Sequence, residues 1–188
     1  MRNKTRGFTI LELIITLSLT VIVLGVVYAF YFSNSKTLTT TEINSDLQLE
    51  SEGIQNELLL YGTQAEGIIS INNSAIDNTN KFNYEGLLDE NGKLKITNLK
   101  FGIESKEVNF KYNSNDNTLS IEEVGGNTKI LSKYVTEFKT RPLDYQMNPK
   151  GNFYETTGLE ISLVLNKKKG YSDVTMPVSV IVKLRNKK

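Results

Sequence analysis

Apolar and polar positions change rhythm along this chain. From Phe8 to Phe32, 25 residues carry a single charge, Glu12. As a helix rising about 1.5 Å per residue this stretch covers roughly 37 Å, enough to cross a hydrocarbon core of about 30 Å with some tilt. From Ser33 to about Gly62 the pattern stays helical but becomes one-sided. Ile43, Leu47, Ile54, Leu58 and Tyr61 fall within an arc of about 60°, a narrow stripe that should face a core. Gly62 and the stretch Thr63 to Gly67 end the helix. A second stripe of Leu38, Leu49 and Leu60, opposite the first, is a candidate contact with another subunit against the plainer reading of tolerated surface leucines.

Ser70 to Asn80 (SINNSAIDNTN) reads as an irregular connector. Beyond it the period becomes 2. Leu99, Phe101 and Ile103 alternate, as do Val108, Phe110 and Tyr112, and then Leu119 and Ile121. Asn113 to Asn117 makes a hairpin loop between the last two runs, and Gly125-Gly126-Asn127 a further turn. Lys129 to Arg141 is extended with ambiguous facing and stops at Pro142. Leu159, Ile161, Leu163 and Leu165 alternate cleanly. So do Val178, Val180, Val182 and Leu184, with Pro177 suited to the strand's beginning and Asn166 to Asp173 as a long hairpin loop before it. The fold class is α+β: a long N-terminal helix, half apolar and half amphipathic, packed on an antiparallel sheet. The expected organisation is 1–7 leader, 8–32 span, 33–62 amphipathic helix and 63–188 β-rich head.

Composition removes chemistry. With no cysteine and no histidine there is no disulfide framework, thiolate nucleophile or nucleophile-histidine-acid triad. Lys plus Arg is 22 against 21 for Asp plus Glu, so no overall field points to nucleic acid.

Charge placement matters more than the total. Met1 to Gly7 carries Arg2, Lys4 and Arg6 and no acid, which puts the N-terminus in the cytoplasm and the head outside. Tyr28, Phe30, Tyr31 and Phe32 suit the outer interface. No A-x-A-like cleavage site follows the apolar run, so it is retained as an anchor and not lost as a secretory signal. Glu12 needs a reason. A carboxylate within an apolar span costs roughly 2.5–3.5 kcal/mol on insertion scales, and no Lys or Arg shares the span. Its partner should come from another chain or from a terminal amine.

The run RGFTILELI, with a basic leader ending in Gly7, then Phe8, then Glu12, resembles the prepilin signature of the type IV pilin superfamily. The resemblance implies that prepilin peptidase cuts between Gly7 and Phe8 on the cytoplasmic side and methylates the new Phe8 terminus. It implies that the apolar segment is kept as anchor and then as filament core, and that Glu12 meets the amino group of a neighbouring subunit's Phe8 during filament assembly. Two opposite charges would then pair inside a bundle of helices instead of facing lipid. The implied partners are other pilin subunits, prepilin peptidase and an ATPase-driven assembly platform in the membrane. No cofactor is implied.

The head is similar in its strand layout to the J-type minor pseudopilins of type II secretion and the W-type minor pilins, on Arg141 to Leu143 and the closing hairpin through Val178 to Asn186. The K-type pseudopilin typically lacks a glutamate at the position of Glu12, which this chain has. Asn and Lys make 38 of 188 residues, the usage of an AT-rich genome, which favours a pilus or competence pilus over full type II secretion.

Candidate chemistry in the head is thin. Asp89 to Gly92 and Asn115 to Asn117 lack the ligand ladder of a calcium loop and read as turns. Glu122 and Glu123 are adjacent on a strand, so they point to opposite faces and cannot act as a catalytic pair. Lys167, Lys168 and Lys169, with Lys187 and Lys188, could meet DNA phosphates in a competence pilin, but a solvated hairpin tip is the default. No phosphate-binding glycine motif is present, and nothing points to an enzyme. The reading is a minor pilin or pseudopilin. The rival is a single-pass surface binder, an adhesin or sensor on a permanent anchor.

Overall fold

The computed structural model describes residues 8–184 apart from Ser105, Val124 and Asn127. The leader with Gly7, Asn127 of the Gly-Gly-Asn turn, and Lys187 and Lys188 therefore lie outside the described residues. The helix α1 runs Ile10–Gln64, two residues past the expected end. The chain divides into two compact units within it, between Glu42 and Ile43.

In the first unit every α1 residue from Ile10 to Leu38 is exposed, including the whole apolar run. Its hydroxyls are satisfied internally: Thr16, Ser18 and Thr20 donate to the carbonyls of Leu13, Ile14 and Thr16 at 2.9, 2.8 and 2.7 Å. A span in lipid has no water to offer these groups, so this back-bonding lets three hydroxyl residues sit in it cheaply. Thr37, Thr39, Thr40 and Thr41 bond back to the preceding turn in the same way.

In the second unit α1 buries Ile43, Leu47, Ile54 and Leu58 of the expected stripe, with Ser51 and Gly62 beside them at spacings of 3 and 4, while Tyr61 is half-buried. Gly62 is there for closeness: a Cβ on it would lie 2.1 Å from Val182 Cγ1. Ten strands follow: β1 (Gly67–Ile71), β2 (Ser74–Ala75), β3 (Leu94–Lys95), β4 (Asn98–Ile103), β5 (Lys106–Asn113), β6 (Thr118–Glu123), β7 (Thr128–Ser132), β8 (Val135–Pro142), β9 (Gly158–Lys169) and β10 (Ser172–Lys183). They form two antiparallel sheets, ordered β2-β1-β4-β5-β6-β7 and β10-β9-β8-β3, where the sequence suggested one. The sheets are tied by Tyr112, whose N–H donates to Thr97 O at 2.7 Å and whose hydroxyl donates to Thr136 O at 2.8 Å. Phe101, Phe110 and Tyr61 stack edge to face in the core, as do Tyr112 and Phe138.

Four expectations change. Ser70 to Asn80 is not all connector: β1 and β2 form a hairpin whose two-residue turn, Asn72-Asn73, has φ of 50° and 65°. Asparagine tolerates that left-handed geometry, which type I′ turns require. Lys129 to Arg141 is two strands, one in each sheet, broken at Lys133-Tyr134, which explains its ambiguous facing. Pro177 lies in the middle of β10, tolerated because β10 is an edge strand. Finally, the loop Asn166 to Asp173 shrinks to the two-residue turn Gly170-Tyr171, with Lys169 paired to Ser172. Gly170 takes φ of 59° there.

Candidate functional site: the helix start, its exposed face and the basic hairpin

The helix begins at Ile10, and the preceding Thr9 caps it. Glu12 N–H donates to Thr9 Oγ1 at 3.2 Å, and Leu13 N–H to Thr9 O at 3.1 Å. Thr9-x-x-Glu12 is thus a capping-box sequence, with Glu12 in the first turn where the helix dipole favours a carboxylate. The sequence reading treated Glu12 as a charge awaiting an outside partner and missed this local role, although the T-x-x-E spacing before an apolar run signals it. Phe8 is 73% exposed and non-helical.

Leu49 and Leu60 are exposed on the side of α1 away from the core, at 68% and 49%, and Leu38 in the first unit is exposed as well.

The head grips α1 through acids beside the apolar stripe. Asp46 accepts from Lys167 Nζ at 2.8 Å, Glu50 from Ser132 Oγ at 2.5 Å, and Glu57 from Lys129 Nζ at 2.5 Å. Tyr61 donates to Glu123 Oε1 at 2.6 Å. Lys167 is therefore not a loose tip cation. It sits 4.8 Å above the Tyr134 ring, and the bond to Asp46 raises its pKa against the opposing pull of burial. Of the lysine triplet only Lys168 and Lys169 are exposed.

Glu122 and Glu123 diverge as expected, Glu122 pairing with Lys111 and Glu123 with Tyr61. The hydrogen bond to Glu123 is the main reason the Tyr61 phenol is pushed up to about 12, followed by burial and the charges of Glu123 and Glu57. Burial, then Asp144, pushes Tyr84 to about 12. A phenol raised above its unfolded value contributes stability that is complete below about pH 10 and is lost as pH rises toward 12. The unfolding midpoint should fall over that window, and Tyr61→Phe should make the fall shallower. An identical slope in both proteins would show that Tyr61 ionisation contributes nothing.

A groove of about 650 Å³ crosses the outer face of the four-stranded sheet, lined by Lys93, Lys139, Arg141 and Glu160 among others. Burial raises the Glu160 carboxyl, but Arg141 and Lys93 outweigh it and hold its pKa below the usual range. Asp89 and Glu137 pair with Lys139, so the charges cancel within the groove. Asp89 closes a turn, accepting from the N–H groups of Asn91 and Lys93 at 3.0 and 2.9 Å. Among the described residues no cluster of three or more acids could hold a metal ion.

Residues 2–28 match the family model described as the prokaryotic N-terminal methylation motif. No curated protein and no solved structure gives a significant match to the chain.

Proposed function

We propose that this chain, which carries at its N-terminus the methylation motif of the type IV pilins, is a minor pilin or pseudopilin. It is held in the cytoplasmic membrane with its N-terminus in the cytoplasm and its head outside until its helix enters a short filament. Its role is structural rather than catalytic. Prepilin peptidase, further pilin subunits and a membrane assembly platform are its partners. One coincidence carries this reading: the motif falls on an apolar helix long enough to cross a membrane. Exposed apolar surface on that scale needs lipid or neighbouring helices to cover it. The test is the intact mass of the protein from its native membrane. A terminus at Phe8 with one added methyl supports the pilin; a retained Met1 beside an active peptidase leaves an anchored surface binder.

In the filament, Leu38, Leu49 and Leu60 contact neighbouring helices. Leu49→Glu should leave the head's stability within about 0.5 kcal/mol, since it removes an exposed side chain, while reducing co-purification with partner subunits. Unchanged co-purification would return the three leucines to tolerated surface residues.

A further inference from the structure

We propose that the free edge of β10, from Pro177 to Lys183, takes up an antiparallel strand of a partner protein. That strand sets an apolar residue beside Ile181 and a carboxylate beside Lys183. The four-stranded sheet ends at β10, whose residues pair with β9 without a register shift. Which backbone groups β10 spends on β9 follows from the ladder. Gly158 O accepts from Leu143 N–H at 3.0 Å, and Asn166 N–H donates to Tyr134 O at 2.8 Å, so both residues turn their backbone groups to the β8 side. Their partners on β10, Lys183 and Thr175, therefore point N–H and C=O away from the sheet. The two-residue period extends this to Ile181, Ser179 and Pro177. Pro177 thus sits where only an outward N–H is lost. Beyond it the N–H and C=O groups of Ser179, Ile181 and Lys183 face outward, and no hydrogen bond among the described residues reaches them.

The other sheet edges offer less. β2 and β3 are two residues long, and β7 is tied to α1 through Lys129 to Glu57 and Ser132 to Glu50. Edge strands are ordinarily blunted by charges, bulges or proline, yet from Val178 to Val182 β10 has none of these. Such an edge is the receiving half of β-augmentation, in which main-chain bonds hold a strand and alternate side chains select it. Ile181 is 58% exposed, on the face opposite the buried Val180 and Val182, and an apolar side chain across from it would cover it. Lys183 is exposed too, and among the described residues no carboxylate pairs with it. Glu160, opposite Ile181 on β9, is held by Arg141 and Lys93. An acid on the incoming strand is the complement of that lysine. A second copy of β10 does not supply one, since antiparallel pairing about Ile181 sets Lys183 against Ser179.

Nothing in this contact uses the membrane span, so its test stands apart from that of the anchor. In full-length protein in detergent micelles, the amides of Ser179, Ile181 and Lys183 should exchange with deuterium at least about tenfold faster than those of Val180 and Val182. The probe is an acetylated peptide, Glu-Thr-Val-Thr-Thr, whose Glu, Val and last Thr fall opposite Lys183, Ile181 and Ser179. At about ten times its dissociation constant the peptide should slow the fast amides about tenfold. Turning its Glu into Lys should weaken binding about two- to fivefold, and Lys183→Glu should reverse that preference. Ile181→Pro removes only an outward N–H, so it should abolish binding while the amides bonded to β9 stay protected. Outward amides that are already slow at every protein concentration show a covered edge and overturn the contact. Protection that grows with protein concentration assigns the edge to a second copy and overturns it too. So does a peptide that leaves the outward amides fast, or binding indifferent to the sign of the charge at Lys183.

Discussion

Where prepilin peptidase is present, the protein should accumulate as Phe8 to Lys188 with a methylated Phe8, and Gly7→Val should hold it at full length. Two physical features favour a cut at that bond. In the proposed orientation, Arg2, Lys4 and Arg6 hold the leader on the cytoplasmic side of the span. Among the described residues the helix starts at Ile10, behind the Thr9 cap, and Phe8 is non-helical, so a protease can take Phe8 in an extended form without opening the described helix. A branched side chain in place of Gly7 fills the space a tight cleavage site needs. The effect should be close to complete loss of the processed form. The change is easily read: the formal charge falls from +1 to −2, because 22 basic residues become 19 against the same 21 acids. Processing of Gly7→Val at the normal rate would remove the leader from the account of this chain.

Part of this was legible in the sequence because the signal was periodic. The stripe from Ile43 to Leu58 is buried on α1, and Leu159 to Leu165 on β9 and Val178 to Val182 on β10 alternate inward, with Leu184 buried just past β10. What the sequence hid depends on partners. Alternation identifies strands but not which sheet holds them, so β7 and β8 read as one ambiguous run. Asn72 and Asn73 looked like loop polarity, although their tolerance of positive φ is what makes a hairpin. Tyr84 and Phe153 are buried from irregular segments, tied by the bond from Tyr84 N–H to Gly151 O, and no period announces them. Lys167 looked like its two neighbours until Asp46, 121 residues away, was brought to it.

Glu12 now has two accounts, and one substitution divides them. As a first-turn residue, Glu12 completes the Thr9-x-x-Glu12 sequence behind the Thr9 cap, to which its backbone N–H donates, and there glutamine serves nearly as well as glutamate. As half of an intersubunit pair it needs its charge, because a methylated amine buried among apolar helices is left uncompensated without it. Removing one partner of a buried ion pair costs about 3–5 kcal/mol, more than a hundredfold in association. Losing a helix cap costs about 1 kcal/mol, and Glu12→Gln should lose less than that. Glu12→Gln should thus leave helix content and membrane insertion unchanged while depleting the subunit from assembled filaments at least a hundredfold. Glu12→Ala should do the same with a slightly frayed helix start. If Glu12→Gln assembles like the parent and only Glu12→Ala falls short, the carboxylate's charge is not what draws subunits together. The residue would then be a cap that happens to lie in a membrane span.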